Sequence, residues 1–149
     1  MNASLVKSAR DLVLLLARVG VGAVMIMHAK AEYDYGGSIA GVVAAFEESG
    51  VPLPVVTGPV NMFGELIGGV AMIIGLGVPL VGVLMALNMV GAWIFVHAGY
   101  GFFDPQGPGL VILLGLLSLV LAVSGSGRLG LDHLIFGRGR RGAKAELVS

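Results

Sequence analysis

Long apolar runs separated by short polar stretches dominate the sequence. A helix needs ~20 mostly apolar residues to cross the hydrocarbon core of a membrane. Four runs reach or approach that length, at about Leu12–His28, Val55–Gly77, Pro79–Ala98 and Pro108–Ser124. The pattern predicts an all-α membrane protein, a bundle of four transmembrane helices that forms one domain over residues 1–149. Only Gly77-Val78-Pro79 lies between the second and third runs, so these two helices are expected to form an antiparallel hairpin.

Two further segments have the pattern of surface structures. Ser38 is a suitable N-cap and Gly50 a suitable helix stop, and between them apolar residues recur on one helical face, at Ile39, Val42, Val43 and Phe46. We expect a short interfacial helix on the outer membrane surface there. Residues 125–149 mix apolar residues with Arg and Lys, which predicts a cytoplasmic interfacial segment and a basic tail in contact with membrane lipids.

Lys and Arg are distributed unevenly around the spans. Lys7 and Arg10 precede the first span, and the last span is followed by Arg128, Arg138, Arg140, Arg141 and Lys144. The first connection holds Lys30 against four carboxylates, Glu32, Asp34, Glu47 and Glu48. Because cytoplasmic flanks are enriched in Lys and Arg, both termini are predicted to be cytoplasmic.

The first span also has some features of a signal peptide. Basic residues precede the apolar run, and Ala29-Lys30-Ala31 matches a loose small-x-small cleavage pattern. We expect the span to be retained, with cleavage as the alternative.

Composition narrows the function classes. The chain is 56% hydrophobic and 12% charged with zero net charge, so nucleic acid is not an expected partner. Cysteine is absent, which excludes disulfides and thiolate catalysis by this chain, and no zinc or other metal motif is present. We therefore expect no resident metal.

Ionisable residues within a span are costly and need a partner or a task. Arg18 lies on the first span and Glu65 on the second, at depths that a long Arg side chain can bridge. An interhelical Arg18–Glu65 ion pair is the structural interpretation, and a functional role for Glu65 is the alternative.

Polar residues concentrate in the outer half of the predicted bundle. Asn61 and Glu65 are one helical turn apart, as are Trp93 and His97, while His28 ends the first span. At 100° per residue Asn88 points away from His97, so we expect it to form a helix–helix hydrogen bond instead. The five residues that are predicted to line a ligand pocket are His28, Asn61, Glu65, Trp93 and His97.

A quinone is the ligand that this set suits best. Imidazole and amide groups can hydrogen-bond its oxygens, Trp can stack on its ring, and Glu65 can exchange a proton. We expect no covalently bound cofactor. Two alternatives stay open: the histidines are interfacial anchors only, or His28 and His97 ligate a haem.

The sequence also resembles the DoxX family of small four-helix bacterial membrane proteins. The resemblance covers nearly the whole chain and rests on ordered motifs: Arg18 and the run to His28, Gly64-Glu65-Leu66-Ile67-Gly68-Gly69, His97 with Gly101-Phe102-Phe103-Asp104-Pro105, and Gly125-Ser126-Gly127-Arg128 before Leu131-Asp132. Where the family often has a Lys just beyond the first helix, this chain has Glu32.

The resemblance implies a bacterial inner-membrane subunit of a quinone-linked oxidoreductase or oxidative-stress complex. Partner subunits would then carry the flavin, thiol or metal chemistry. Relatives that act as assembly factors imply the alternative, a non-enzymatic accessory subunit. A small-molecule transporter is disfavoured, because the few intramembrane polar residues do not form a continuous path.

Overall fold

The computed structural model describes residues 3–135, and that part of the chain is helical without any β-strand. A short helical stretch at 131–135 follows the principal helices. The principal helices are α1 (Ala3–Gly36), α2 (Ile39–Glu48), α3 (Pro54–Ile74), α4 (Val78–Ala92, continued by a π-helical turn over Trp93–His97) and α5 (Gly109–Ser124).

Three of these helices are long and apolar enough to cross a membrane: α1, α3, and α4 with its π-helical turn. Large apolar side chains are exposed on the outside of the bundle, as at Val123 (91% exposed) and Leu80 (66%), where lipid would cover them. The prediction of an all-α membrane fold is confirmed. α5 is apolar but has only 16 residues, about 24 Å at 1.5 Å per residue, so the fourth crossing stays a prediction.

α1 extends about two turns beyond the predicted end of the first span at His28. Lys30 and Asp34 form an ion pair one turn apart in this extension, which stabilises helical structure on an exposed face. The charged residues that were assigned to a loop therefore belong to the helix. This correction carries Glu32 onto the same helical face as His28.

The predicted short helix is present as α2. The Ser38 Oγ accepts a hydrogen bond from the Gly41 N–H at 3.1 Å, and Gly50 follows the helix with a φ of +72°. α2 packs on α1 and α3 through the buried Val42. Its location at an outer membrane surface stays a prediction.

The helices pack as two close pairs, α1 with α3 and α4 with α5. Glycines permit both approaches: a Cβ on Gly69 would lie 2.7 Å from the Gly22 carbonyl oxygen, and a Cβ on Gly82 would lie 2.6 Å from the Ser118 carbonyl oxygen. Backbones that approach so closely gain extensive van der Waals contact, which drives helix association in lipid.

α3 and α4 are consecutive but diverge. They are joined by a turn over residues 75–77, slightly earlier than predicted, in which Gly75 and Gly77 have φ values of +75° and +61°. Beyond the turn the two helices make few contacts with each other. We call the end of the bundle at this turn the turn end, and the opposite end, where α1 ends and α3 begins, the loop end.

Candidate functional site

A cavity of about 830 Å³ occupies the space between the diverging α3 and α4. α1 and α2 also contribute to its wall, and most of its lining is apolar. The lining includes Gly64, where a Cβ would meet no atom within 4 Å. The polar side chains that line the cavity are His28, Glu32, Thr57, Asn61, Glu65, Asn88 and His97.

Two amide groups connect the carboxyl groups of the cavity to neighbouring helices. The Asn61 Nδ2 donates to Glu32 Oε1 at 2.8 Å, joining α3 to α1, and the Asn88 Nδ2 donates to Glu65 Oε1 at 2.8 Å, joining α4 to α3. Asn61 and Glu65 are one turn apart on α3. We call these four side chains, Glu32, Asn61, Glu65 and Asn88, the polar ladder, because their two hydrogen bonds link three helices.

Each carboxyl group of the ladder has one oxygen without a partner. The Oε2 atoms of Glu32 and Glu65 are buried and make no hydrogen bond within residues 3–135. Glu65 as a whole is 4% exposed. A buried polar atom without a partner is costly, and within residues 3–135 the same holds for Arg18 Nε and Nη1 and for Ser118 Oγ.

His97 is oriented by the connection between α4 and α5. Its Nδ1 lies 2.7 Å from the Gln106 carbonyl oxygen, which can only accept, so Nδ1 carries a proton. Asp104 shapes this connection: its Oδ2 accepts from the Gly101 N–H at 2.8 Å, and its carbonyl oxygen accepts from the Gly107 N–H at 2.8 Å. The 101–105 motif thus positions the residue that orients His97.

Four of the five predicted pocket residues line this one cavity: His28, Asn61, Glu65 and His97. Trp93 does not. It borders a separate groove between α4 and α5, with Val111 and Gly115. The prediction assumed a regular α-helix from Trp93 to His97, whereas this segment is π-helical and turns through fewer degrees per residue.

Two residues of the ladder were absent from the predicted set. Glu32 was placed in a loop, although Lys30 and Asp34 at i, i+4 spacing were a signal that the helix continues. Asn88 was placed on the opposite face by counting α-helical turns through the π-helical segment. Its predicted helix–helix hydrogen bond is confirmed, and the partner is Glu65.

Arg18 belongs to a different cluster at the turn end. It is fully buried, and its Nη2 donates to the Leu129 carbonyl oxygen at 3.3 Å. Gly75 and Gly130 leave space for the guanidinium group, because a Cβ on Gly75 would overlap it. Nearby, the Asp132 carboxylate accepts from the backbone N–H groups of Gly77 at 2.7 Å and Val78 at 3.0 Å, capping the start of α4.

The predicted Arg18–Glu65 ion pair is not formed, since neither of the two salt bridges within residues 3–135 includes these side chains. The reason lies in side-chain direction. Helical side chains tilt toward the N-terminus of their own helix, so Arg18 on α1 leans toward the turn end. Glu65 on the oppositely directed α3 leans toward the loop end. Similar depth along the two helices therefore did not bring their charged groups together.

The fold and the cavity define a class of protein: an α-helical membrane bundle that holds buried carboxyl groups in an apolar cavity. Residues 13–98 match the DoxX family. The chain is also 35% identical over 127 residues to the Bacillus subtilis (strain 168) protein named "Putative oxidoreductase CatD", covering 82% of this chain and 86% of that protein. The chain belongs to the DoxX family. No solved structure matches it.

Proposed function

We propose that this chain is a membrane subunit of a quinone-linked oxidoreductase and binds a quinone headgroup in the cavity between α3 and α4. The observation that carries the proposal is an apolar cavity with a polar ladder of Glu32, Asn61, Glu65 and Asn88 along its wall. A quinone needs an apolar slot for its ring together with a few hydrogen-bonding groups for its two oxygens.

The size and lining of the cavity suit such a ligand. Ligand pockets are commonly ~300–1,000 Å³ and mostly apolar with a few polar groups, and this cavity has about 830 Å³. The imidazole groups of His28 and His97 add polar groups to the cavity wall at the loop end. An isoprenoid tail could extend between α3 and α4 toward lipid, because these helices diverge there.

The electron transfer itself is assigned to partner subunits. The chain has no cysteine, so thiol chemistry must come from another protein. A relative with 35% identity is named as an oxidoreductase, which favours a redox assignment for this chain. We place the chain in a bacterial cell membrane with both termini cytoplasmic, on the distribution of Lys and Arg around its spans.

Filling the cavity is the direct test. Decylubiquinone binding is measured with the purified chain in lipid nanodiscs. Gly64→Leu would place a side chain in the cavity without a clash at Cβ, so we expect it to weaken binding at least tenfold. Gly20→Leu is the matched control: Gly20 is also within a helix and has open space at Cβ, but it does not line the cavity.

The expected result is binding to the wild type and to Gly20→Leu, with loss in Gly64→Leu. His97→Ala should also weaken binding, whereas Trp93→Ala should not, because Trp93 borders the separate groove. If the wild type binds no quinone, also when partner subunits are present, the proposal fails and the non-enzymatic accessory subunit takes its place. Equal binding by Gly64→Leu would place any quinone site elsewhere.

A further inference from the structure

The gap between α3 and α4 leaves one side of the cavity open to the outside of the bundle. Ile67 on α3 and Leu87 on α4 line the cavity, and the same two residues are 66% and 63% exposed. α1 and α2 supply the rest of the wall, for example through Ala31 and Phe46. The apolar outer surface, which lies against lipid in a membrane, therefore continues into the cavity without interruption.

The polar residues of the cavity are confined to the part of its wall nearest the loop end. On α3 they are Thr57, Asn61 and Glu65, and no polar side chain lines the cavity between Glu65 and the turn. On α4, which like α3 lies wholly within the described residues, none lines it between the turn and Asn88. The wall is thus polar toward the loop end and apolar toward the turn end, which is the polarity of an amphiphile with its headgroup at the loop end.

The length of the cavity suits a lipid chain. On α3 its lining extends from Thr57 to Ala71, which is roughly 21 Å at 1.5 Å per residue. One leaflet contributes about half of the ~30 Å hydrocarbon core, or about 15 Å. An acyl chain of one leaflet can therefore lie lengthwise in the cavity while its headgroup stays at the loop end.

We propose that the cavity binds one acyl chain of a glycerophospholipid from the leaflet at the loop end. The chain enters sideways between α3 and α4, with the headgroup beside His28 and His97 and the chain running past Met85 toward the turn end. The inference goes beyond the proposed function because it needs no quinone. A quinone that binds in the cavity would have to displace this lipid chain.

Two buried methionines allow a test without any substitution. Met85 is 4% exposed and lines the cavity, whereas Met72 is buried in the same hydrophobic core and does not line it. A Cβ on Gly68 would lie 2.8 Å from Met85 Cε, so the Met85 side chain reaches α3 in the apolar part of the cavity. The end of a bound acyl chain should therefore contact Met85 and should not contact Met72.

The experiment places the full chain in nanodiscs that contain phosphatidylglycerol with a photoactivatable diazirine at the end of one acyl chain. Cross-links are located by mass spectrometry, and we expect at least tenfold more labelling of Met85 than of Met72. A second lipid, with the diazirine next to the glycerol, should label loop-end residues such as Thr57 instead. Equal labelling of the two methionines would overturn the inference, as would stronger labelling of Met85 by the second lipid, because the chain would then lie elsewhere or point the other way.

Filling the cavity tests the route of the chain. Gly64→Leu should lower the labelling of Met85 at least fivefold, because the new side chain takes up space that the chain needs. Gly20→Leu is the matched control, since Gly20 also has open space at its Cβ but does not line the cavity, and it should leave the labelling unchanged. Full labelling in Gly64→Leu would show that lipid reaches Met85 by another route and would overturn the inference. If Gly64→Leu does not fold, the wild-type ratio of Met85 to Met72 still decides.

The two proposals fail in different ways. Labelling of Met85 without any binding of decylubiquinone would leave the lipid site standing and refute the proposed function. Binding of decylubiquinone without labelling of Met85 would do the reverse. If both ligands bind in the cavity, saturating decylubiquinone should abolish the labelling of Met85. Labelling that persists would support the lipid site and place the quinone outside the cavity.

Discussion

Arg18 and Glu65 are both buried ionisable residues, but their surroundings differ between the two ends of the bundle. At the turn end, Arg18 is fully buried beside the Leu129 carbonyl group and two glycines, and its Nε and Nη1 have no hydrogen-bond partner within residues 3–135. Toward the loop end, Glu65 is also buried, but it lines the cavity between α3 and α4. Burial alone therefore does not distinguish Arg18 from Glu65, whereas the cavity beside Glu65 does.

Glycines distinguish the two ends by what a side chain would meet. A Cβ on Gly75 would overlap Arg18, and one on Gly69 would collide with the backbone of α1. A Cβ on Gly64, one turn from Gly68 on the same helix, would enter open space. Glycine thus permits close packing at Gly69 and Gly75, whereas at Gly64 it leaves open space.

Gly75→Ala, at the turn end, should have the largest effect on stability. The substitution places a Cβ on Arg18 at a position with a φ of +75°, so we expect a loss of about 3 kcal/mol or more in the free energy of unfolding. Gly50→Ala is the control, because Gly50 has a similar φ but open space at its Cβ. It should lose only about 1–2 kcal/mol.

Stability is measured by titrating dodecyl sulfate into mixed micelles and following the fluorescence of Trp93, the one tryptophan of the chain. If Gly75→Ala and Gly50→Ala lose the same amount, the contact with Arg18 contributes nothing beyond backbone conformation. The turn end would then be less tightly packed than described.

Gly69→Ala and Gly64→Ala sharpen the comparison within one helix. A Cβ at Gly69 would lie 2.7 Å from the Gly22 carbonyl oxygen and force α1 and α3 apart, which should cost about 1–3 kcal/mol. Gly64→Ala should be neutral or stabilise by up to about 1 kcal/mol, because Ala is the better helix former. The same unfolding titration measures both, and a destabilising Gly64→Ala would indicate that the cavity is narrower than described.

The sequence was sufficient to predict where most of the helices lie, but it did not predict where α1 ends. Apolar run length located α3, α4 and α5 within a few residues, and the Ser38 cap located α2. The predicted first span ends at His28, which leaves Lys30, Glu32 and Asp34 in the first connection, although Lys30 and Asp34 form an i, i+4 pair that continues α1. Run length measures hydrophobicity, whereas helix ends also depend on local pairs and caps.

The candidate site was predicted as a region and only in part as a set of contacts. The spacing of Asn61 and Glu65 predicted that they share one face of α3, and both belong to the polar ladder. Spacing could not place Trp93 or Asn88, because a π-helical turn changes the register of the residues around it without an obvious sequence signal. Nor could depth alone identify the partner of Glu65, since the direction of a side chain depends on the direction of its helix. The part of the predicted basic tail that follows residue 135 lies outside the described residues.

The smallest expected effect is the coupling free energy between Asn88 and Glu65. Asn88 donates to Glu65 Oε1 at 2.8 Å, so Glu65→Ala and Asn88→Ala should be coupled in a double-mutant cycle. Interhelical hydrogen bonds in membranes average ~0.6 kcal/mol by this method, and a coupling of about that size is expected here. Arg18→Met with Glu65→Ala forms the matched cycle, and its coupling should be near zero, because Arg18 bonds to Leu129 at the turn end. Both cycles use the same unfolding titration. A coupling between Arg18 and Glu65 as large as that between Asn88 and Glu65 would mean that the two ends share one polar network, and the division of the bundle into a closed and an open end would have to be abandoned.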